Sequence, residues 1–330
     1  MHFGKRELAA LALAGTAVPM SALASGSEAP YPQRAVTLVV GYPPGGGADA
    51  LARLLARHMA EDLEQNVLIE NRPGAAGNIA AESVARATPD GYTLYLTARP
   101  NTLHKVMYGY LTYDLANDLT PVGLLATSHS VIVTGKHAPI ASVRDLITLA
   151  KAYPGALTCA SPGVGADGYI LCELFKQETH TDVVHVPYRG AAPALIDLIG
   201  GRVDVLITSL SSALPHIKAG SVRALAVTSR QRVPVASHIP TIYESGIPGL
   251  DLDTWYGLTA PAGTPSQVIA RLNESVNAVL MKSELEQALM EGAYGAPLQP
   301  NTPETFKDFI AEETERWTAF LKARDIGSEN

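Results

Sequence analysis

Cysteine is nearly absent from this chain, with Cys159 and Cys172 the only two among 330 residues. No Cys-x-x-Cys pair occurs, which removes the common dithiol redox and zinc arrangements. The Gly-x-Ser-x-Gly elbow of serine hydrolases and the His-Glu-x-x-His pair of metalloproteases are missing as well. Histidines are scattered, and His129, His137, His180 and His185 show no metal-ligand spacing. Carboxylates are frequent but nowhere paired in a way that marks acid–base chemistry. Positive charge is in deficit: 25 Lys and Arg stand against 32 Asp and Glu, a net charge of −7 with no basic stripe. Nucleic acid is therefore a poor partner. An anion could be held only by a local site, because the overall field repels it. Repeats and low-complexity tracts are lacking. These absences point away from an enzyme, a metal and a cofactor.

Long apolar runs are also lacking, except near the start. Lys5 and Arg6 precede the apolar stretch Leu8 to Val18, and Ala22-Leu23-Ala24 follows as an A-x-A cleavage site. A membrane helix needs about 20 apolar residues, so residues 1–24 read as a signal peptide removed after Ala24. Lys5-Arg6 is not a twin arginine, which favours the general secretion route. The expectation is an exported, periplasmic chain. Without Lys5, Arg6 and Glu7 the counts become 23 and 31, a net charge of −8. In an oxidising compartment Cys159 and Cys172 can form a bridge; two buried thiols are the other reading.

What the chain does contain is glycine in telling places. The apolar run Ala35 to Val40 leads into Tyr42-Pro43-Pro44-Gly45-Gly46-Gly47-Ala48-Asp49, and the amphipathic run Ala50 to Met59 leads out. Glycines at such a strand-to-helix turn let backbone N–H groups face an anion at the helix N-terminus. A phosphate loop would need Gly-Lys-Ser/Thr here, and Gly47-Ala48-Asp49 has no lysine. A small carboxylate suits the turn better than a nucleotide.

Strands and helices alternate from residue 31 onward, which predicts parallel sheets covered by helices. One series is Val36–Val40, Ala50–Leu63, Val67–Glu70, Ile79–Ala87 and Tyr92–Thr97. A second begins near Val131, with a capped helix at Ser142, a strand Ala156–Ala160 and a helix to Glu178. Then come Val183–Val186, Ala192–Ile199, Val203–Ile207 and, after a connection from Pro215 to Ser221, Val222–Val227. Thr264-Pro265-Ser266-Gln267 reads as a helix start, as does Thr302-Pro303. The expected architecture is two α/β lobes with a cleft between them. Residues 25–130 and 255–330 form the first lobe and 131–254 the second.

Ligands in open parallel sheets sit beyond the carboxyl ends of the strands. Four turns leave strands at that edge: Tyr42–Ala48, Thr97–Thr102, Ser161–Gly168 and Pro187–Ala192. Gly163-Val164-Gly165-Ala166-Asp167-Gly168 is a literal G-x-G-x-x-G. However, the next strand ends in Pro187-Tyr188, where a ribose-binding acid would stand. The turn reads as a second anion-receiving helix start, with a purely structural turn as the alternative. Arg99 offers a planar fork for a carboxylate, or is a surface arginine beside a proline; Arg189 makes a weaker case. Asp49 reads as a capping residue. Asp167 either caps or accepts from a ligand hydroxyl or ammonium. Trp255 and Tyr256 either wall the cleft or pack in the core.

An ordered series of motifs carries a family resemblance along nearly the whole chain beyond Tyr31. After Tyr42–Asp49 come Glu70-Asn71-Arg72-Pro73-Gly74-Ala75-Ala76-Gly77-Asn78 and Pro89-Asp90-Gly91-Tyr92-Thr93-Leu94. Then come His185-Val186-Pro187-Tyr188-Arg189-Gly190, Ser212 to Gly220, Arg223 to Thr228, Trp255 to Leu258 and Ala260 to Pro265. The chain resembles the Bug family, the extracytoplasmic substrate-binding proteins of tripartite tricarboxylate transporters. The resemblance implies a two-lobed type II periplasmic binding protein, monomeric, that delivers a small mono- or dicarboxylate to two membrane subunits. A membrane sensor kinase is the alternative partner, and an exported carboxylate enzyme the remaining rival.

The resemblance also implies that one carboxylate is held by Tyr42–Ala48 and Ser161–Ala166. The candidate ligand residues are Tyr42, Pro43, Gly45, Gly46, Gly47, Ala48, Arg99, Asn101, Ser161, Gly163, Val164, Gly165, Ala166, Asp167, Tyr188, Gly190, Ala191, Thr208 and Ser209. The chain departs from the family at Ala166, where a hydroxyl is usual, at Tyr169, often histidine, and at Thr208-Ser209, commonly an Asp or Asn pair. With Arg99 opposite, the departures point to direct ion pairing of one carboxylate. Loss of the acid at Thr208 argues against an amino-acid ligand.

Overall fold

Val36–Val40 is apolar except for Thr37 and almost wholly buried, as a strand covered on both faces must be. It is β1 of a computed structural model that describes residues 30–297 and 299–327 and the first two residues. The apolar stretch and cleavage site of the expected signal peptide lie outside the described residues. The chain continues through α1 (Gly47–Leu63), β2 (Val67–Asn71), α2 (Asn78–Ala85) and β3 (Thr93–Ala98). A 3-10 turn, Arg99–Leu103, runs into the short helices α3 (His104–Met107) and α4 (Leu115–Asp118), and then β4 (Leu119–Gly135). Next come α5 (Val143–Ala152), β5 (Thr158–Ser161), α6 (Asp167–Thr179), β6 (Val184–Pro187), α7 (Ala191–Ile199), β7 (Val205–Ser209), α8 (Leu210–Lys218) and β8 (Val222–Val227). The last part holds β9 (Asp253–Pro261), α9 (Ser266–Leu280), α10 (Ser283–Glu291), β10 (Tyr294–Gly295) and α11 (Pro303–Ala323).

The strands form one continuous path, β2-β1-β3-β9-β4-β7-β5-β6, with β8 and β10 also paired to β4. β1, β2 and β3 are mutually parallel, as are β5, β6 and β7. The middle is antiparallel: β9 pairs with β3 and β4, and β4 pairs with β7 and β8. The parallel character expected from the alternation thus belongs to the outer parts. β4 spans 17 residues and links the two parts. Leu119 to His129 pair with β9, whereas Ser130 to Thr134 pair with β7. The sequence pattern hides this strand because Pro121 and Gly123 interrupt it, and the register against β9 shifts between those two and again between Leu124 and Ala126.

Each part of the sheet is covered on both faces. Around β1 and β3, one core joins α1, α9 and α10 through residues such as Leu51, Leu55 and Val276. The opposite core joins α2 to the start of α11 through Val84, Phe306 and Ile310. Around β5 and β7, one core gathers α5 and α6 with Trp317 and Leu321 from the end of α11. The other gathers α7 and α8. α11 therefore contributes to cores on both parts of the sheet.

Local signals explain most boundaries. Ser142 accepts the Asp145 N–H at 3.1 Å and caps α5, while Asp145 reaches back to the Ala141 N–H. Thr302 caps α11 through the Thr305 N–H. Thr264 does not cap α9: its hydroxyl donates to Pro261 O, and the helix opens after Pro265. The segment read as a connection from Pro215 is the end of α8, with Pro215 inside the helix. Cys159 and Cys172 form a disulfide with Cα atoms 6.4 Å apart, tying β5 to α6.

Candidate functional site

Two strand-to-helix turns face each other. The first leaves β1 and opens α1. Here the Gly45 N–H donates to Asp49 Oδ2 at 3.0 Å, so the helix acid folds back onto its own turn. Asp49 also receives Arg53 through two bonds of 2.9 and 3.0 Å and Asn71 at 2.9 Å. Burial opposes its charge, but Arg53, the Gly45 N–H and Asn71 outweigh that and hold the carboxyl below its ordinary range. The Gly47 N–H donates to Ser212 Oγ at 2.8 Å, and Gly47 O accepts from the Tyr294 hydroxyl at 2.7 Å. A side chain at Gly47 would collide with the Ser209, Ser211 and Ser212 hydroxyls.

The second turn leaves β5 and opens α6. Ser161 Oγ lies 2.7 Å from His185 Nε2 and accepts the Gly163 N–H at 3.2 Å, which fixes the start of the loop. Two further helices begin nearby, α7 after Gly190 and α8 after Ser209. Gly190 is required there: its φ is +143°, and a Cβ would sit 2.5 Å from Pro43 Cδ of the first turn. In none of α1, α6, α7 and α8 does the N-cap residue supply a capping side chain, and the first N–H of α1 is met instead by Ser212. The first N–H groups of a helix have no partner within it and carry the positive end of its dipole.

These four helix starts surround one small hollow of about 50 Å³. Its wall includes Tyr42, Pro43, Gly46, Gly47, Ala48, Ala166, Asp167, Ala191, Thr208 and Ser209, all expected from sequence. Ala98, Pro100, Pro162, Gly168, Ser212, Thr254 and Tyr256 complete it. The Thr208 hydroxyl is buried there without a hydrogen-bond partner among the described residues. Burial pushes the Tyr42 and Tyr256 phenols up, so both stay neutral. Expected residues Gly163, Val164 and Tyr188, with Arg189, line an adjacent hollow of about 180 Å³ that shares Tyr42 and Pro162 with the first. Of the other two residues left open from sequence, Tyr256 walls the site, while Trp255 packs in the core and donates to Glu313.

Gly45, Arg99, Asn101, Ser161, Gly165 and Gly190 line neither hollow. Asn101 is 1% exposed. Its amide oxygen accepts from Ala98 N and the Tyr95 hydroxyl, and its nitrogen donates to Asn78, so it braces the 3-10 turn from beneath. Arg99 is completely buried, and its Nη2 pairs with Asp167 Oδ1. The guanidinium carbon also lies 4.6 Å from the Trp317 ring centre. In place of an arginine facing a ligand carboxylate, the structure has an internal Arg99–Asp167 pair. Ser212 went unassigned in the sequence because nothing local marks a serine that receives an N–H from 165 residues away.

A family model described as the tripartite tricarboxylate transporter family receptor matches residues 51–326. The chain belongs to this receptor family. Such receptors are periplasmic solute-binding proteins, and solved members share the fold. The structure of the periplasmic binding protein BugD is 30% identical, with a TM-score of 0.86, covering 91% of this chain and all of that one. Rpa4515 of R. palustris, solved with adipate, is 36% identical with a TM-score of 0.87 over 91% of this chain and 100% of its own. MatC (Rpa3494) from Rhodopseudomonas palustris, with bound malate, is 33% identical with a TM-score of 0.82 over 87% and 98%. The two-lobed binding-protein fold and the resemblance read from the motifs are thus confirmed. Among the described residues no helix is long and apolar enough to cross a membrane.

Proposed function

We propose that this receptor captures a small mono- or dicarboxylate in the hollow between its two glycine-rich turns. After export to the periplasm it would deliver the ligand to the two membrane subunits of a tripartite tricarboxylate-type transporter. The observation that carries the reading is the meeting of four helix starts and the Thr208 hydroxyl, unpartnered among the described residues, at one hollow. Each supplies a donor or a positive dipole end, and nothing in that set needs a cofactor. A few such contacts, each worth about 1–3 kcal/mol net, fit micromolar affinity, about −8 kcal/mol. The adipate and malate carried by Rpa4515 and MatC support the same ligand class.

The division into residues 25–130 with 255–330 and residues 131–254 gives the moving lobes. β4 and β9 are the strands that pass between them, and α11 rests on both. Closure brings Pro43 onto Gly190 and gives the membrane subunits a shape to recognise. A thermal-shift and calorimetric screen of aliphatic, hydroxy and aromatic carboxylates tests the proposal. Stabilisation with micromolar Kd and no turnover is expected. A lack of stabilisation by every acid, or turnover of one, would reject it.

A further inference from the structure

We propose that Asp167 selects the ligand by accepting a hydrogen bond from a hydroxyl beside the bound carboxylate, so that 2-hydroxy acids bind in preference to their deoxy counterparts. The inference rests on the carboxylate-binding reading above. Asp167 is the first residue of α6 and part of the wall of the small hollow. Its charge acts on the Tyr42 and Tyr256 phenols, which belong to the same wall. Oδ1 is engaged by Arg99, while Oδ2 has no donor among the described residues.

An unneutralised aspartate in this wall would repel a carboxylate ligand. Arg99 removes that repulsion from behind. It is sealed from solvent, and its Nε and Nη1 find no hydrogen-bond partner among the described residues. A buried ion pair so poorly satisfied is not explained by stability, since apolar residues in its place often serve as well or better. It is explained if the hollow needs an acceptor that adds no net charge. An asparagine would present a donor as readily as an acceptor, whereas an ionised aspartate only accepts. The four helix starts make the hollow unfavourable for a ligand ammonium. A neutral hydroxyl is the donor that fits, and Thr208 and the backbone N–H groups remain for the carboxylate.

The test uses the whole mature chain and calorimetry with three matched pairs: malate and succinate, lactate and propionate, mandelate and phenylacetate. In at least one pair the hydroxy acid is expected to bind tenfold or more tightly, because a bond to an ionised acceptor is stronger than one between neutral groups. The double variant Arg99→Met/Asp167→Leu, checked for folding by its melting curve, should bring that ratio close to one. A ratio near one in the wild type overturns the inference and leaves carboxylate binding intact. Retention of the preference by the folded double variant also overturns it. Failure of every acid to bind overturns both the inference and the reading beneath it. Should the double variant not fold, the wild-type ratio alone decides.

Discussion

The two glycine-rich turns are built on the same plan, strand into helix with an acid in the first helical turn, yet they use that acid in opposite ways. Asp49 turns back onto its own loop and is neutralised by Arg53, one helical turn away and half exposed. Asp167 faces the shared hollow and is neutralised by Arg99, 68 residues earlier and wholly buried. The first turn is thus self-contained. The second depends on distant parts of the chain through Arg99 and Trp317, and is closed locally by the disulfide that ties β5 to α6. A helix acid beside the proposed carboxylate site must be dealt with, and the chain has done so once by folding it away and once by pairing it.

The contact between the first turn and α7 is the most demanding part of this arrangement. Gly190→Val would drive a side chain into Pro43 at a positive φ. We expect the clash with Pro43 to cost the closed form about 3 kcal/mol, so that carboxylate affinity falls about a hundredfold by calorimetry, while the backbone strain, present in both forms, lowers the unliganded melting temperature by a smaller amount. An equal loss of stability and affinity would instead show that the contact is already needed by the free protein.

Removing the disulfide should act on the second turn alone. Cys159→Ala/Cys172→Ala is expected to cost about 3 kcal/mol of stability, read by urea unfolding. Ligand affinity should fall as the loop from Ser161 to Ala166 loosens. A variant as stable as the wild type would show that packing of Ile170, Leu171 and Phe175 against the sheet fixes α6 unaided.

The smallest effect belongs to the first turn. The Asp49 carboxyl is held below its ordinary range, so its contribution is present above about pH 4, the unfolded value, and is lost as pH falls through the depressed folded value. Asp49→Asn should cost about 1–2 kcal/mol near neutrality, and its melting temperature should fall less steeply than the wild type between pH 5 and 2. Parallel curves would place the acid-sensitive groups elsewhere.

Much of this was legible in the sequence where the signal is local. The β1 turn, the caps at Ser142 and Thr302 and the alternation of strands and helices are written within a few residues of each other. So was the convergence of Tyr42–Ala48 with Ala166 and Ala191, because turns at the carboxyl edge of parallel strands meet, whereas Thr208 and Ser209 came from the family resemblance. What stayed hidden depends on separation in the chain. β4 was masked by Pro121 and Gly123, α8 by Pro215, and the roles of Arg99, Asn101 and Ser212 by partners that only the folded topology supplies. Thr264 shows the reverse error: its sequence matches a cap, yet a nearer carbonyl takes its hydroxyl.

Trp255 and Trp317 are the only tryptophans in the chain. One lies beside Glu313, and the other beneath the Arg99 guanidinium, one bond removed from the wall of the hollow. A charge held against an indole shifts and quenches its emission, so movement of Arg99 when Asp167 gains a ligand should register optically. The proposed binding site thus has a fluorophore wired to it, and titration needs no added dye.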